Sequence, residues 1–265
     1  MSATVNTEVR YLNPEWKSRK EIPNIGDRES RRANTSKHQV SIHDARGMHL
    51  DLDDCGFVVT EHTSSVRDFH DKEEVCSTYY AELRGVITNL TGADEVIFTP
   101  EHVVRTEDTS DFNRAYARFV HCDYSLSDRP KDREKALAKH RELLDPAKHW
   151  EFAWYNTWQP IEREVQQNPL AVLDARTLDE DDVVDYYYTG YGKKGLTSMP
   201  VFNPNHRLCY FPLMQTNELL VFKQLDTRPG NAIACAHTSF NLEAPEDALG
   251  RRSIEVRMMC AFGTD

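Results

Sequence analysis

The sequence lacks the motifs that would assign it at once to several common classes of protein. It has no apolar run near the roughly 18–20 residues of a membrane helix, no glycine-rich loop for a dinucleotide or a nucleoside triphosphate, and no Cys-x-x-Cys pair. Neither a zinc site nor a disulfide framework is therefore expected. We predict reduced core thiols instead, because most of the cysteines lie in apolar runs. The six are Cys55, Cys76, Cys122, Cys209, Cys235 and Cys260.

An excess of positive charge is also missing. The 265 residues include 32 Lys and Arg against 43 Asp and Glu, which gives a formal net charge of −11. Because binding to nucleic acid needs a clustered basic face, no nucleic-acid partner is expected, and the lack of long apolar runs argues against a membrane partner. The first 20 residues contain no apolar segment of the kind found in secretory signals. We therefore expect a cytoplasmic protein.

Local patterns predict an arm followed by one large domain. Residues 1–40 are polar and charged with weak periodicity, which is typical of an extended arm or a lid. Residues 41–265 are expected to form a single domain, since this length can bury a large core. Within the domain we predict a hairpin at 41–60 and amphipathic helices at 71–92 and 131–145.

Most of the remaining chain has the pattern of short β-strands. Strands are predicted at 95–105 and 117–125. After residue 148 the apolar runs are short, β-branched or aromatic-rich, and separated by turn residues. The regular alternation of strands and helices that marks a parallel sheet is missing. The sequence therefore predicts a mainly β fold with flanking helices and a double-stranded β-helix core, that is, a cupin-like jelly roll.

A His-x-Asp pair provides a candidate metal site. Two histidines and one carboxylate on one side of the ion are the ligands of many non-haem iron(II) oxygenases, and residues i and i+2 of a strand point the same way. His121 and Asp123 are favoured because they follow the apolar run ARFV, where a core strand reaches its rim. The same spacing occurs three more times, at His49/Asp51 in the predicted hairpin, at His140/Glu142 in a predicted helix whose i and i+2 positions diverge, and at His149/Glu151, which stays open.

The third ligand must come from a distant strand. His237 follows the buried-strand pattern NAIACA, and Arg251 and Ser253 come fourteen and sixteen residues later. A guanidinium and a hydroxyl on one side of a strand can bind the distal carboxylate of 2-oxoglutarate. His206 is the alternative ligand, and Arg257 is the alternative residue for the carboxylate.

Motifs along nearly the whole chain support a family resemblance. They include DARG at 44–47, TGADEVIF at 91–98, VHCDYS at 120–125, NTWQPI at 156–161, NPNHRLCYFPLM at 203–214, AHTSF at 236–240 and RRSIEVR at 251–257. In order and spacing the sequence resembles the fungal and bacterial CmcJ-like and AsaB-type hydroxylase/desaturases. Two positions depart from the pattern of that family. Gln159 stands where an arginine is usual and Leu208 where an aromatic residue is common, and both are predicted near the pocket.

The resemblance implies an oxygenase that depends on iron(II), 2-oxoglutarate and O2. It assigns the metal to His121, Asp123 and His237, and 2-oxoglutarate to Arg251 and Ser253. Oxidative decarboxylation of 2-oxoglutarate would be coupled to removal of hydrogen from a small secondary metabolite or an amino-acid-like substrate. Hydroxylation, desaturation and oxidative cyclisation are all within the range of the family.

Four residues are predicted in the vicinity of the substrate, namely Arg105, Asn156, Trp158 and Arg228. Asn156 and Trp158 share a face if 152–161 is a strand, and the two arginines could bind an anionic group. Two alternatives to this enzyme stay open: a non-catalytic accessory component on the same fold, and a cupin-like metal isomerase without 2-oxoglutarate. A homodimer is one assembly that the sequence allows.

Overall fold

The computed structural model describes residues 4–106, 115–190 and 193–264. Its strands are β1 Thr4–Leu12, β2 Asn24–Ile25, β3 Thr35–Asp44, β4 Phe57–Glu61, β5 Glu95–Arg105, β6 His149–Pro160, β7 Leu170–Leu173, β8 Val183–Gly190, β9 Lys193–Pro200, β10 Leu208–Tyr210, β11 Glu218–Asp226, β12 His237–Ser239 and β13 Ser253–Thr264. Its helices are α1 Arg28–Asn34, α2 Lys72–Glu74, α3 Tyr80–Thr91 and α4 Arg129–His140, with a π-helical turn at Val75–Tyr79 between α2 and α3.

Two five-stranded sheets form the body of the protein. The first sheet has the order β1-β3-β10-β7-β12, and the second has the order β4-β11-β6-β13-β5. Val172 and Cys209 of the first sheet pack against Trp158 and Phe222 of the second. The two sheets therefore face each other across a common core, and the predicted jelly roll is confirmed. A third sheet, β2-β8-β9, adjoins the first through an isolated bridge between Leu12 of β1 and Val201, the residue that follows β9.

Alternation along β6 gives the second sheet its two faces. Trp154 and Trp158 point into the core between the sheets, whereas Tyr155 packs with Leu83 and Ile87 of α3 on the outer face. Residues of β6 that contribute to a site between the sheets must therefore be at even-numbered positions, like Trp154 and Trp158.

The predicted helix at 71–92 is confirmed as the continuous segment of α2, the π-helical turn and α3. Asp71 accepts hydrogen bonds from the backbone N–H groups of Glu73 and Glu74, and Gly92 ends the helix in the left-handed conformation. The helix predicted at 131–145 is also present, as α4, but it begins and ends earlier, at Arg129 and His140. No helix in the three described ranges is long and apolar enough to cross a membrane.

Two local predictions differ from the structure. The hairpin at 41–60 was wrong, because β3 pairs with β1 and β10 whereas β4 pairs with β11 in the opposite sheet. The strand at 117–125 was also wrong, since that segment makes only two isolated bridges. The expected division at residue 40 falls within β3. Strand β1 pairs with β3 over the whole length of β1, so backbone hydrogen bonds join the segment before residue 40 to the first sheet.

Candidate active site

Three potential metal ligands meet in the interior between the sheets. Nitrogen atoms of His121 and His237 and a carboxylate oxygen of Asp123 lie within 4.8 Å of one another. Two backbone hydrogen bonds hold the histidines opposite each other, from His121 N to His237 O at 3.0 Å and from His237 N to His121 O at 2.8 Å. Strand β12 and the segment before Asp123 therefore bring together residues that are more than a hundred positions apart.

The surroundings of His121 determine its tautomer. Its Nδ1 lies 2.9 Å from the carbonyl oxygen of Phe119. Because a carbonyl can only accept, Nδ1 carries the proton and Nε2 keeps a lone pair. That Nε2 is 3.7 Å from Asp123 Oδ1, so both atoms are free to bind one ion between them.

The second carboxylate oxygen of Asp123, Oδ2, makes the contacts that hold this side chain in place. Oδ2 accepts a hydrogen bond from Asn156 Nδ2 at 2.8 Å and forms an ion pair with Arg257 Nε at 3.1 Å. The backbone N–H of Asp123 donates to Gln224 Oε1 at 3.0 Å. These contacts fix the orientation of the carboxylate and leave Oδ1 facing His121.

The electrostatic environment keeps Asp123 and His237 in the form that binds a metal. Burial opposes ionisation of Asp123, but the charge of Arg257, together with the two imidazoles and Asn156, holds the pKa of Asp123 below its usual value. Burial, reinforced by His121, lowers the pKa of His237 to about 3. A neutral imidazole and an ionised carboxylate are therefore present at neutral pH. Two nitrogens and one oxygen donor fit an iron(II) ion with open coordination positions.

A buried arginine lies deeper in the same interior. Arg251 donates from Nη1 to the carbonyl of Asn168 at 2.7 Å and to Ser239 Oγ at 3.4 Å, and its guanidinium lies 4.0 Å from the ring of Tyr116. Its Nε is buried and has no hydrogen-bond partner in the described part of the chain. Burial lowers the pKa of Arg251 to about 9. A buried cation with an N–H still available to donate is suited to binding a carboxylate.

Ser253 and two further predicted residues lie near this arginine. Ser253 is buried at the start of β13, directly opposite Arg105 on β5 and Pro160 on β6. The ring of Trp158 lies 5.3 Å from the guanidinium of Arg251. Arg105 is close enough for its charge to contribute to the lowered pKa of Arg251. Arg105 and Trp158 are therefore on the side of Arg251, and their relation to a substrate stays a prediction.

Asn156 and Arg228 have surroundings that the sequence did not reveal. Asn156 is fully buried and supports Asp123, as described above. Arg228 binds Asp226, two residues before it, and Asp53, 175 positions away. Its guanidinium also lies 4.0 Å from the ring of Phe262 and 3.2 Å from the hydroxyl of Tyr155. Since Tyr155 packs on the outer face of the second sheet, Arg228 does not share a pocket with the metal ligands.

The alternative ligands have structural partners elsewhere. His149 is exposed, and its Nε2 lies 3.0 Å from Glu151 Oε1. His206 is buried against Tyr11 and lies 3.9 Å from Asp182. The carboxylate of Asp51 caps the turn that follows it. None of these residues joins a second cluster of metal ligands within the described ranges.

The two departures from the family pattern lie away from the ligands, so their expected position near the pocket was wrong. Gln159 points to the outer face of the second sheet, where it bonds His62 and Tyr79. Leu208 is buried in the first sheet and pairs with Ile42 and Leu173.

Sequence reasoning missed the acidic partner of the site. Glu255 Oε1 accepts from Arg257 Nε at 3.2 Å and from Nη2 at 2.9 Å, so an ionic chain runs from Glu255 through Arg257 to Asp123. The signal was present as alternation, since Ser253, Glu255 and Arg257 follow one another at every second position. From the sequence alone, Arg257 is only an alternative residue for binding the cosubstrate.

A jelly roll that encloses two histidines, one carboxylate and a buried unsatisfied arginine defines a class of protein. This class is the iron(II)- and 2-oxoglutarate-dependent oxygenases, in which the metal needs the first three groups and the cosubstrate needs a cation.

Comparisons with known proteins give the family. A family model described as "Oxidoreductase/YMDC permease-like domain" matches residues 9–261. The α-ketoglutarate-dependent dioxygenase tstK of Talaromyces stipitatus is 30% identical, with 80% of each chain covered. The Fe(II)/2-oxoglutarate-dependent dioxygenase nvfI of Aspergillus novofumigatus is 27% identical, with 97% of this chain and 96% of that protein covered. A solved structure of the iron and α-ketoglutarate-dependent endoperoxidase NvfI superposes with a TM-score of 0.82 at 25% identity, covering 98% of this chain and 99% of the other.

The chain belongs to this family of Fe(II)/2-oxoglutarate-dependent dioxygenases. Its relatives also include the hydroxylase/desaturase efuI of Hormonema carpetanum, at 28% identity. The predicted enzyme class, the dependence on iron(II), 2-oxoglutarate and O2, and a small-molecule substrate are thereby confirmed.

Proposed function

We propose that His121, Asp123 and His237 hold the iron and that Arg251 and Ser253 bind the distal carboxylate of 2-oxoglutarate. The observation that carries this proposal is the closeness of the three ligand atoms, within 4.8 Å, in the core of the jelly roll. The tautomer of His121 and the contacts of Asp123 Oδ2 support it, because they leave Nε2 and Oδ1 for the ion. The buried, unsatisfied Nε of Arg251 supports the proposed binding of 2-oxoglutarate by this residue.

When bound, iron(II) supplies the activation of O2 by which 2-oxoglutarate gives succinate and CO2 and a hydrogen atom leaves the substrate. The protein orients the groups that bind the ion and the cosubstrate, and it excludes water from them. Asn156 and Arg257 keep Asp123 ionised and turned toward the ion. Arg251 is already buried, so pairing with a carboxylate adds no desolvation cost for the guanidinium itself. Apolar rings around the site, among them Phe222 at 4.9 Å from the ring of His237, exclude bulk water.

Calorimetry under nitrogen tests this assignment. We expect one Fe(II) per chain, and tighter binding of 2-oxoglutarate after iron than before it. In air the loaded protein should form succinate from 2-oxoglutarate. A protein that binds iron but not 2-oxoglutarate would support the alternative of a cupin-like isomerase, and a protein that binds neither would support the accessory role.

Removal of the amide that holds Asp123 should weaken metal binding. We expect Asn156→Leu to lower the affinity for Fe(II) about 10- to 100-fold, which is the usual effect of losing a group that orients a ligand. Thr157→Val is the matched control, because Thr157 is the next residue of β6 and points to the opposite face. Anaerobic calorimetry measures both variants. An Asn156→Leu protein with the affinity of the control would mean that Arg257 alone orients the carboxylate.

We further propose that a single domain carries the activity and that the enzyme works in the cytoplasm. The joining of β1 to the first sheet supports one domain. All six cysteines are free and five are buried, which suits a reducing compartment. A homodimer stays a prediction, and light scattering of the purified protein would test it.

A further inference from the structure

A cavity of about 310 Å³ lies between α4 and the interior side of the second sheet. At about 30 Å³ for each water in the liquid, it has room for about ten waters, which places it at the small end of ligand pockets. Its apolar wall consists of Ile97, Phe98, Tyr124, Ala136, Trp154 and Met259. None of these residues has a role in the metal site described above.

Three residues of the cavity wall are close in the chain to residues of the metal site. Tyr124 follows Asp123 directly in the chain. Met259 is two residues beyond Arg257 on β13, and Trp154 is two residues before Asn156 on β6, in each case on the interior face. Two residues of a strand span about 7 Å. The wall of the cavity therefore begins one side-chain row away from the residues that bind Asp123.

The wall suits a flat, apolar body. The rings of Tyr124 and Trp154 lie 5.9 Å apart and border the same space. Aromatic rings and the thioether of Met259 interact favourably with the faces and edges of a ligand ring.

The rim of the cavity offers a positive charge to a ligand. Asp132 is bound to Lys135 at 3.0 Å. Burial and the neighbouring Lys139 lower the pKa of His140, which is therefore neutral. Lys139 forms no ion pair in the described ranges of the chain. An anionic group that reached this rim would meet the ammonium of Lys139.

We propose that this cavity binds the substrate, and that the substrate is a small ring-containing apolar molecule with a carboxylate. The ring system lies against Tyr124, Trp154 and Met259, and the carboxylate pairs with Lys139. The opposite end of the molecule then lies on the side of the cavity nearest to Arg257 and the proposed metal ligands. The inference rests on the proposed function, since it places substrate beside the metal assigned above.

Binding of a simple probe tests this site. The probe is 2-naphthoate, with the uncharged 2-naphthamide as its partner, added to the protein loaded with Fe(II) and 2-oxoglutarate under nitrogen. Quenching of tryptophan fluorescence reports occupancy beside Trp154, and calorimetry gives the affinity. We expect naphthoate to bind more tightly than naphthamide. Lys139→Gln should weaken naphthoate about tenfold, as the loss of about 1.4 kcal/mol would, and should leave naphthamide unchanged.

Two further variants separate the cavity from the rest of α4. Thr99→Trp adds an indole at an exposed position on the rim of the cavity, and it should weaken both probes. Lys131→Gln is the matched control, because Lys131 lies on the same helix but binds Asp128 outside the cavity. Naphthoate binding that is undetectable in the wild type, or equal in Lys139→Gln and Lys131→Gln, would overturn the proposal. Fe(II) and 2-oxoglutarate affinities are measured in the same samples. If they are absent in the wild type, the proposed function fails instead.

Discussion

His237→Ala should abolish turnover of 2-oxoglutarate and weaken Fe(II) binding by more than the roughly 100-fold that the loss of an outer partner causes. The change removes one of three donors to the ion, and no other metal-binding side chain of the described ranges lies in this cluster to replace it. The fold should survive, because the backbone of residue 237 keeps both of its hydrogen bonds with His121. Anaerobic calorimetry measures the metal, and succinate formation in air measures turnover.

His149→Ala is the control for this experiment. His149 also belongs to a His-x-Glu pair, but it lies 62% exposed on the surface and pairs with Glu151. Its replacement should change neither metal affinity nor turnover. Circular dichroism and thermal unfolding of both variants separate the loss of a ligand from the loss of the fold. A His237→Ala protein that bound Fe(II) as tightly as His149→Ala would remove His237 from the metal site.

The three residues that the structure brings together as potential metal ligands could be picked out of the sequence because their setting is local. His121 and Asp123 follow a buried apolar run, and His237 follows another, so each motif could be judged within a few residues. The choice among four His-x-Asp or His-x-Glu pairs depended on this local setting. The sequence could not predict which groups hold the second oxygen of Asp123. Asn156 and Arg257 lie 33 and 134 positions later in the chain, and only strand pairing across the sheet brings them to this oxygen.

Pairing between distant strands also explains the wrong predictions about the fold. Residues 41–60 contain two strand patterns separated by a turn, which is typical of a hairpin. In a jelly roll, strands that are neighbours in sequence can enter opposite sheets, and β3 and β4 do so. The choice depends on β10 and β11, more than 150 positions away, and nothing within the segment encodes it.

The position of Gln159, by contrast, was available from alternation. If Asn156 and Trp158 face the interior, Gln159 must face outward on the same strand. The structure agrees, since its amide donates to the backbone carbonyl of His62 at 2.9 Å. The alternation of side chains along a strand therefore predicts which residues face the pocket better than an unusual residue in a family motif does.

Arg251→Met should raise the concentration of 2-oxoglutarate needed for half-saturation about 100-fold while leaving Fe(II) affinity unchanged. A charge-assisted hydrogen bond contributes about 1.5–3 kcal/mol, and the loss of about 3 kcal/mol from a bidentate pair corresponds to roughly a hundredfold. Arg251→Lys should restore little of this, because an ammonium cannot form the planar pair. Arg252→Gln is the control: the adjacent residue pairs with Glu162 on the surface and should leave the requirement unaltered. Calorimetry of 2-oxoglutarate against the iron-loaded protein measures all three variants. If Arg251→Met kept wild-type affinity, the carboxylate would have to bind a different cation, and Arg105, directly opposite Ser253, would be the next to replace.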